Sequence, residues 1–277
     1  HTSSLLHLLL AVPPRISGRL FSALTAALLL FGCASSGPPQ LPYPAFIEVD
    51  TLDDVFMASL PGIRAKQLAG DPQLRTTSNR IDLPEAWSGT SGGSPGKSLE
   101  IFVLLGSMTI ADVELGPGGY AYLPAGSLGF NLKSNDGARI LYFLDDADSM
   151  AMIRSPIIMD SALLDWQPTD TGLVSDKDLR ADPGSGSRTW LRRVETGAVL
   201  PWESSTARRE GYLVSGNYQH SECYGGAAQT WQYAPGGYFL RPGGAVNGGP
   251  EAHATTETVW LLREKVGAKY NTHASCE

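Results

Sequence analysis

Pro117-Gly118-Gly119-Tyr120-Ala121-Tyr122-Leu123-Pro124-Ala125-Gly126 returns later in the chain as Pro235-Gly236-Gly237-Tyr238-Phe239-Leu240-Arg241-Pro242-Gly243-Gly244. Six of the ten positions are identical. A Pro-Gly-Gly turn hands the chain to a short apolar strand, and a second Pro/Gly turn ends that strand. Working outward, Lys66 to Pro72 answers to Lys177 to Pro183, 111 residues on. Glu100 followed by Gly106 answers to Glu210 followed by Gly216, 110 residues on, and the Pro-Gly-Gly-Tyr pair is offset by 118. The order is kept, and the growing offset places an eight-residue insertion between Gly216 and Pro235. Three matches in register predict duplication of a unit of about one domain's length.

The bulk numbers agree with an all-β reading. A chain of 277 residues has room for two cores. Gly 31 and Pro 19 are high together, as a protein with many tight turns requires. The net charge of -7 argues against nucleic acid as a partner.

The N-terminus reads as an address. Arg15 and Arg19 precede the apolar run Leu20 to Leu30, which is of signal-peptide length and short for a membrane span. Leu30-Phe31-Gly32-Cys33 then resembles a bacterial lipobox, with Phe31 departing from the usual small residue. That resemblance implies lipidation at Cys33, a signal peptide over 1–32 and a lipid-anchored Ser/Gly/Pro tether over 33–44. It implies a bacterial envelope location, at the outer membrane and facing the periplasm, with the membrane as a partner. In an oxidising compartment Cys223 can pair with Cys276; two free thiols are the alternative.

Short apolar runs mark strands at Asn79 to Leu83, Leu99 to Leu105, Met108 to Leu115, Tyr120 to Leu123, Ile140 to Leu144 and Thr189 to Val194. Ser88 to Gly96 reads as a flexible loop, and close strands with Gly/Pro turns read as a sandwich or barrel.

On these residues the chain resembles the cupin superfamily, the small jelly-roll β-barrels. Glu100 and Gly106 match the end of the first cupin motif, and Gly118, Pro124 and Gly126 match the second. Glu210, Gly216, Gly236, Pro242 and Gly244 match in the second copy. The resemblance implies two tandem cupin domains, at 45–150 and 157–270, akin to uncharacterised bacterial bicupins and to the cupin domain of anti-sigma factors. The metal-binding histidines are missing. Gly129 stands at the His position of the first copy and Asn247 at that of the second, while Glu203 and Ser205 replace the His-x-His pair. No metal is therefore assigned; a divalent cation in the second domain would draw on Glu203, Glu210, Asn247 and His253.

The expected ligand pocket comprises Glu100, Tyr122, Glu203, Glu210, Asn247 and His253. His220, beside Glu222 and Cys223, reads as a metal cluster or as a solvated hairpin, and His273 as an exposed tail residue. Arg208 and Arg209 read as solvated, or as greeting an acidic ligand at the barrel mouth. Tyr120, Tyr122, Trp202, Tyr212, Trp231 and Tyr238 read as core aromatics or as the walls of a pocket. No nucleophile elbow, phosphate-gripping loop or zinc-protease helix is present. The reading leans away from an enzyme. It favours non-catalytic binding of a small molecule or partner, with a homodimer as a further association. A metal-dependent dioxygenase or isomerase is the first alternative and a purely structural envelope protein the second.

Overall fold

In a computed structural model, residues 37–91, 95–127 and 129–277 are described. The signal peptide, Cys33 and the first residues of the tether lie outside the described residues. Two large antiparallel sheets hold most of the strand residues. The first runs Ile157–Asp160, Gly119–Leu123, Lys97–Gly106, Phe130–Asp146, Thr76–Ser91, Arg64–Asp71, Asp54–Val55. The second runs Ile47–Glu48, Gly237–Arg241, Arg209–Ser215, Thr258–Glu264, Arg188–Val194, Val174–Ala181, Gln167–Pro168. Matched residues of the duplicated sequence hold matched places in the two orders.

One strand in each sheet comes from the other copy. Ile47 pairs with Tyr238, and Ile157, 110 residues on, pairs with Tyr122. Each copy thus lends its first strand to the outer edge of the other copy's sheet. An unpaired edge is a liability for aggregation, and the exchange closes one edge on each side while tying the halves together. The 3-10 turns Val49–Thr51 and Ser161–Leu163 follow the exchanged strands.

Strand alternation produces three apolar cores. Leu99, Ile101 and Val103 project inside the first sheet, with Ile81, Leu123 and Ile140. Leu213, Phe239, Trp260 and Leu262 line the inside of the second. Residues of the opposite parity, including Phe102, Tyr120 and Leu141 from one sheet and Tyr212, Tyr238 and Leu261 from the other, pack the sheets against each other. The stretch expected as tether is already packed from Leu41, which with Tyr43 joins the second inner core.

The eight-residue insertion is a longer hairpin. Met108–Ile110 and Val113–Leu115 pair in the first copy; Tyr218–Tyr224 and Ala227–Tyr233 pair in the second, four residues longer on each strand. The single strand expected over Met108 to Leu115 is broken by Ala111 and Asp112, both at positive φ (48° and 67°), the pairing that makes a tight hairpin turn. The loop expected from Ser88 is strand as far as Ser91, where it stays paired with Phe130.

The C-terminal strand Tyr270–His273 folds back onto Trp202–Ser205. A disulfide between Cys223 and Cys276, with Cα atoms 5.3 Å apart, holds that tail to the long hairpin. Among the described residues no helix is long and apolar enough to cross a membrane.

Candidate functional site

The same inward positions are filled in opposite ways in the two sheets. In the first, Leu99 lies directly opposite Leu123 on neighbouring strands. In the second, the corresponding pair is Arg209 opposite Arg241. Two like charges facing each other across a ladder destabilise a sheet unless other groups neutralise them. Here carboxylates do so. Arg209 Nε donates to Glu264 (2.9 Å) and Nη1 to Glu203 (3.2 Å). Arg241 donates from Nε to both oxygens of Glu222 (3.0 Å each) and from Nη2 to Oε1 (2.6 Å). Among the described residues, the interior of the first sheet is an apolar core. That of the second is a partly polar chamber with a cavity of about 50 Å³, lined by both arginines together with Tyr218, His220, Phe239 and Trp260.

The hairpin supplies the chamber's polar wall. Tyr218, His220 and Glu222 share one face of their strand by period-two alternation, and all three are buried. Glu222 also accepts from Tyr43 Oη at 2.9 Å. Burial would raise the Glu222 carboxyl, but the Arg241 guanidinium outweighs it and holds the carboxyl at about 2. Burial lowers His220, so its ring is neutral at pH 7. Arg241 Nη2, a donor only, lies 3.0 Å from His220 Nε2, so Nε2 accepts and the proton sits on Nδ1. That Nδ1 is buried without a hydrogen-bond partner, and so is Tyr218 Oη. Burial pushes the Tyr218 phenol up, keeping it protonated as a donor.

The expected pocket residues divide between two faces. Glu203 and Asn247 meet at the chamber, where their backbones exchange hydrogen bonds of 2.8 Å and Asn247 Nδ2 donates to the Glu203 carbonyl at 3.1 Å. Both line the cavity. Glu100, Tyr122 and Glu210 have the opposite strand parity and lie between the sheets. Glu100 accepts from Tyr120 and Thr189 (2.6 Å each), Arg180 (3.0 Å) and Arg263 (3.1 Å). Glu210 accepts from Tyr238 (2.7 Å) and Arg263 (2.8 Å). Burial works against the Glu100 charge, yet Arg180 and Arg263 hold its carboxyl well below the usual range. His253 is apart from both groups, half-buried, with its Nδ1 3.0 Å from the Glu251 carbonyl.

Of the other residues singled out, His220 is inside the chamber rather than on a solvated hairpin, and its neighbour Cys223 is in the disulfide. His273 meets Ser204 Oγ at 2.8 Å. Arg208 is exposed at a cleft of about 310 Å³ between the sheets, and Arg209 is buried. Trp231 stays on the surface, while Tyr120, Tyr122, Tyr212 and Tyr238 are core. Arg241 and Tyr218 were not legible as site residues. Arg241 replaces Leu123 within the quoted repeat, and that exchange was the available signal.

The sequence model of one family, a domain of unknown function (DUF4437), matches residues 58–272. The chain belongs to the DUF4437 family. No curated protein matches it. The solved structures similar to this DUF4437 protein are cupin-fold proteins, and it shares their fold. They include a candidate dioxygenase from Nostoc punctiforme PCC 73102, at 19% identity and TM-score 0.67, covering 84% of this chain and 88% of that one. A candidate glyoxylate-induced protein from Pseudomonas aeruginosa matches at 14% identity and TM-score 0.67, covering 86% and 96%. Oxalate decarboxylase of Bacillus subtilis matches at 13% identity and TM-score 0.61, covering 85% and 81%.

Mn(II) centres are named for that decarboxylase; the DUF4437 chamber has a different set of donors. Glu210 faces away from Glu203 and Asn247, and His253 does not line the cavity. The buried pair His220 and Glu222 is bridged by the Arg241 guanidinium. A fixed cation there occupies the lone pairs a metal would need. Among the described residues no three His, Cys, Asp or Glu converge as a metal site. The donor set does not fit a resident transition metal.

Proposed function

We propose that this chain is a two-domain cupin, with domains over 45–150 and 157–270, whose second domain binds a small molecule without transforming it. One observation carries the reading: the inward Leu99–Leu123 pair of the first sheet is Arg209–Arg241 in the second. A buried charged network is no cheaper than a packed apolar core and is often less stable. The first half demonstrates that the apolar solution is available to this fold. Retaining arginines, a neutral histidine and unpaired donors around a cavity is better accounted for by a ligand than by stability.

The names of the structural neighbours favour an enzyme reading, but fold likeness does not transfer activity, and the chamber lacks a metal donor set. In the binding reading, Asn247 and Glu203 shape the mouth, and the first domain and the exchanged strands are the support. Anchorage in the bacterial envelope through Cys33 is part of the same proposal, resting on the lipobox-like Leu30 to Cys33.

The test is a thermal-shift screen of the purified full chain against a metabolite library and against manganese, iron, zinc and nickel. Saturable stabilisation by a small molecule, without turnover and without dependence on metal, is expected. Turnover with stoichiometric metal would overturn the reading. Fatty-acid labelling of expressed chain, lost in Cys33→Ala, tests the anchor.

A further inference from the structure

We propose that the ligand of the second-sheet chamber is a small carboxylate with a short apolar body. This rests on the small-molecule reading of that chamber and names the chemical class. Polar hydrogens are in surplus there. His220 Nδ1–H and Tyr218 Oη–H are buried without acceptors. The guanidinium groups of Arg209 and Arg241 line the same wall. These are all donors, so the missing group is acceptor-rich. A carboxylate offers two oxygens and about four lone-pair positions, and charge-assisted bonds to guanidinium are the strong ones. An ammonium ligand would meet donors with donors.

The acids around the chamber do not cancel this demand. Glu222 is engaged by Arg241 and Tyr43. Glu264 accepts from Arg209 and from Tyr270 (2.6 Å). Glu203 is different: its side chain is 27% exposed and makes a single contact, 3.2 Å, to Arg209. It sits at the mouth as an internal carboxylate that an incoming one can displace. The remaining wall is apolar and aromatic, from Phe239, Trp260, Leu262 and Val194, and the cavity of about 50 Å³ restricts the body to a few carbons.

The experiment is titration calorimetry of the purified full chain with acetate, propionate and butyrate, beside the matched primary amides and amines. Tyr218→Phe removes a hydroxyl that has no partner, so the fold is spared while a ligand hydrogen bond is lost. Glu203→Gln removes the competing charge. We expect the carboxylates to bind, Tyr218→Phe to weaken them about two- to tenfold, and Glu203→Gln to tighten carboxylates while leaving amides unchanged. Amides or amines binding as well as carboxylates, with the same dependence on Tyr218, would overturn the carboxylate class and keep the small-molecule reading. A chamber that takes none of these compounds, together with a blank metabolite screen, would overturn both.

Discussion

Arg263 stacks on the ring of Phe143, its Cζ 4.0 Å from the ring centroid, and the two residues hold the same place in the two sheets. Phe143 lies opposite Glu100 and Arg263 lies opposite Glu210. The duplicated positions therefore meet across the interface, and one has become charged. Its guanidinium reaches both repeated glutamates and Asp145.

Removing that guanidinium leaves buried carboxylates without their shared partner. Arg263→Met should destabilise the fold by about 3–5 kcal/mol. Urea unfolding followed by tryptophan fluorescence measures it, and a change under 1 kcal/mol would show that the network is not what joins the sheets.

Within the chamber, Arg241→Leu alone strands the Glu222 charge and should cost a similar amount, about 3–5 kcal/mol. Arg241→Leu with Glu222→Leu removes both charges and should recover most of that loss, as the first sheet manages with Leu123. The double variant should no longer bind the chamber's ligand. Melting curves and calorimetry on the same samples separate stability from binding.

Acid should weaken the protein through Glu222 and Glu100. Both folded-state carboxyls are held below their ordinary value of 4.5, Glu222 at about 2. A depressed pKa contributes stability above the unfolded value, and that contribution is lost as pH falls from about 4.5 toward 2. Unfolding free energy measured between pH 6 and 2.5 should decline, and Glu222→Gln should flatten the slope even if it lowers the whole curve.

Gly216 has φ +82°, and a Cβ there would lie 2.1 Å from the Glu257 carbonyl oxygen. Its counterpart Gly106 has the same problem, at 2.2 Å from the Gly137 oxygen. Gly216→Ala combines left-handed strain with a backbone clash and should cost about 2–4 kcal/mol. An unchanged urea midpoint would mean the turn relaxes freely.

The disulfide closes a sequence separation of 53 residues and pins the tail beside the chamber mouth. Cys276→Ser should lower stability by about 2–4 kcal/mol through greater unfolded-chain entropy. It should also raise proteolysis after Tyr270, read by mass spectrometry of limited digests.

The sequence by itself determined the all-β class and displayed the repeated motifs. Pro-Gly-Gly-Tyr turns, left-handed glycines and short apolar runs act locally, so their signals survive in one dimension. The eight-residue insertion was legible for the same reason, although its hairpin form was not. Tertiary structure alone decided which strand edges which sheet, because the Ile47–Tyr238 and Ile157–Tyr122 pairings join residues with no local pattern in common. It also decided the faces. Glu100 and Glu210 lie one position along from Leu99 and Arg209, and a shift of one residue in a strand turns a side chain from the interior to the opposite face. Only pairing register could place Arg209 opposite Arg241, or move His220 from an assumed solvated hairpin into the chamber.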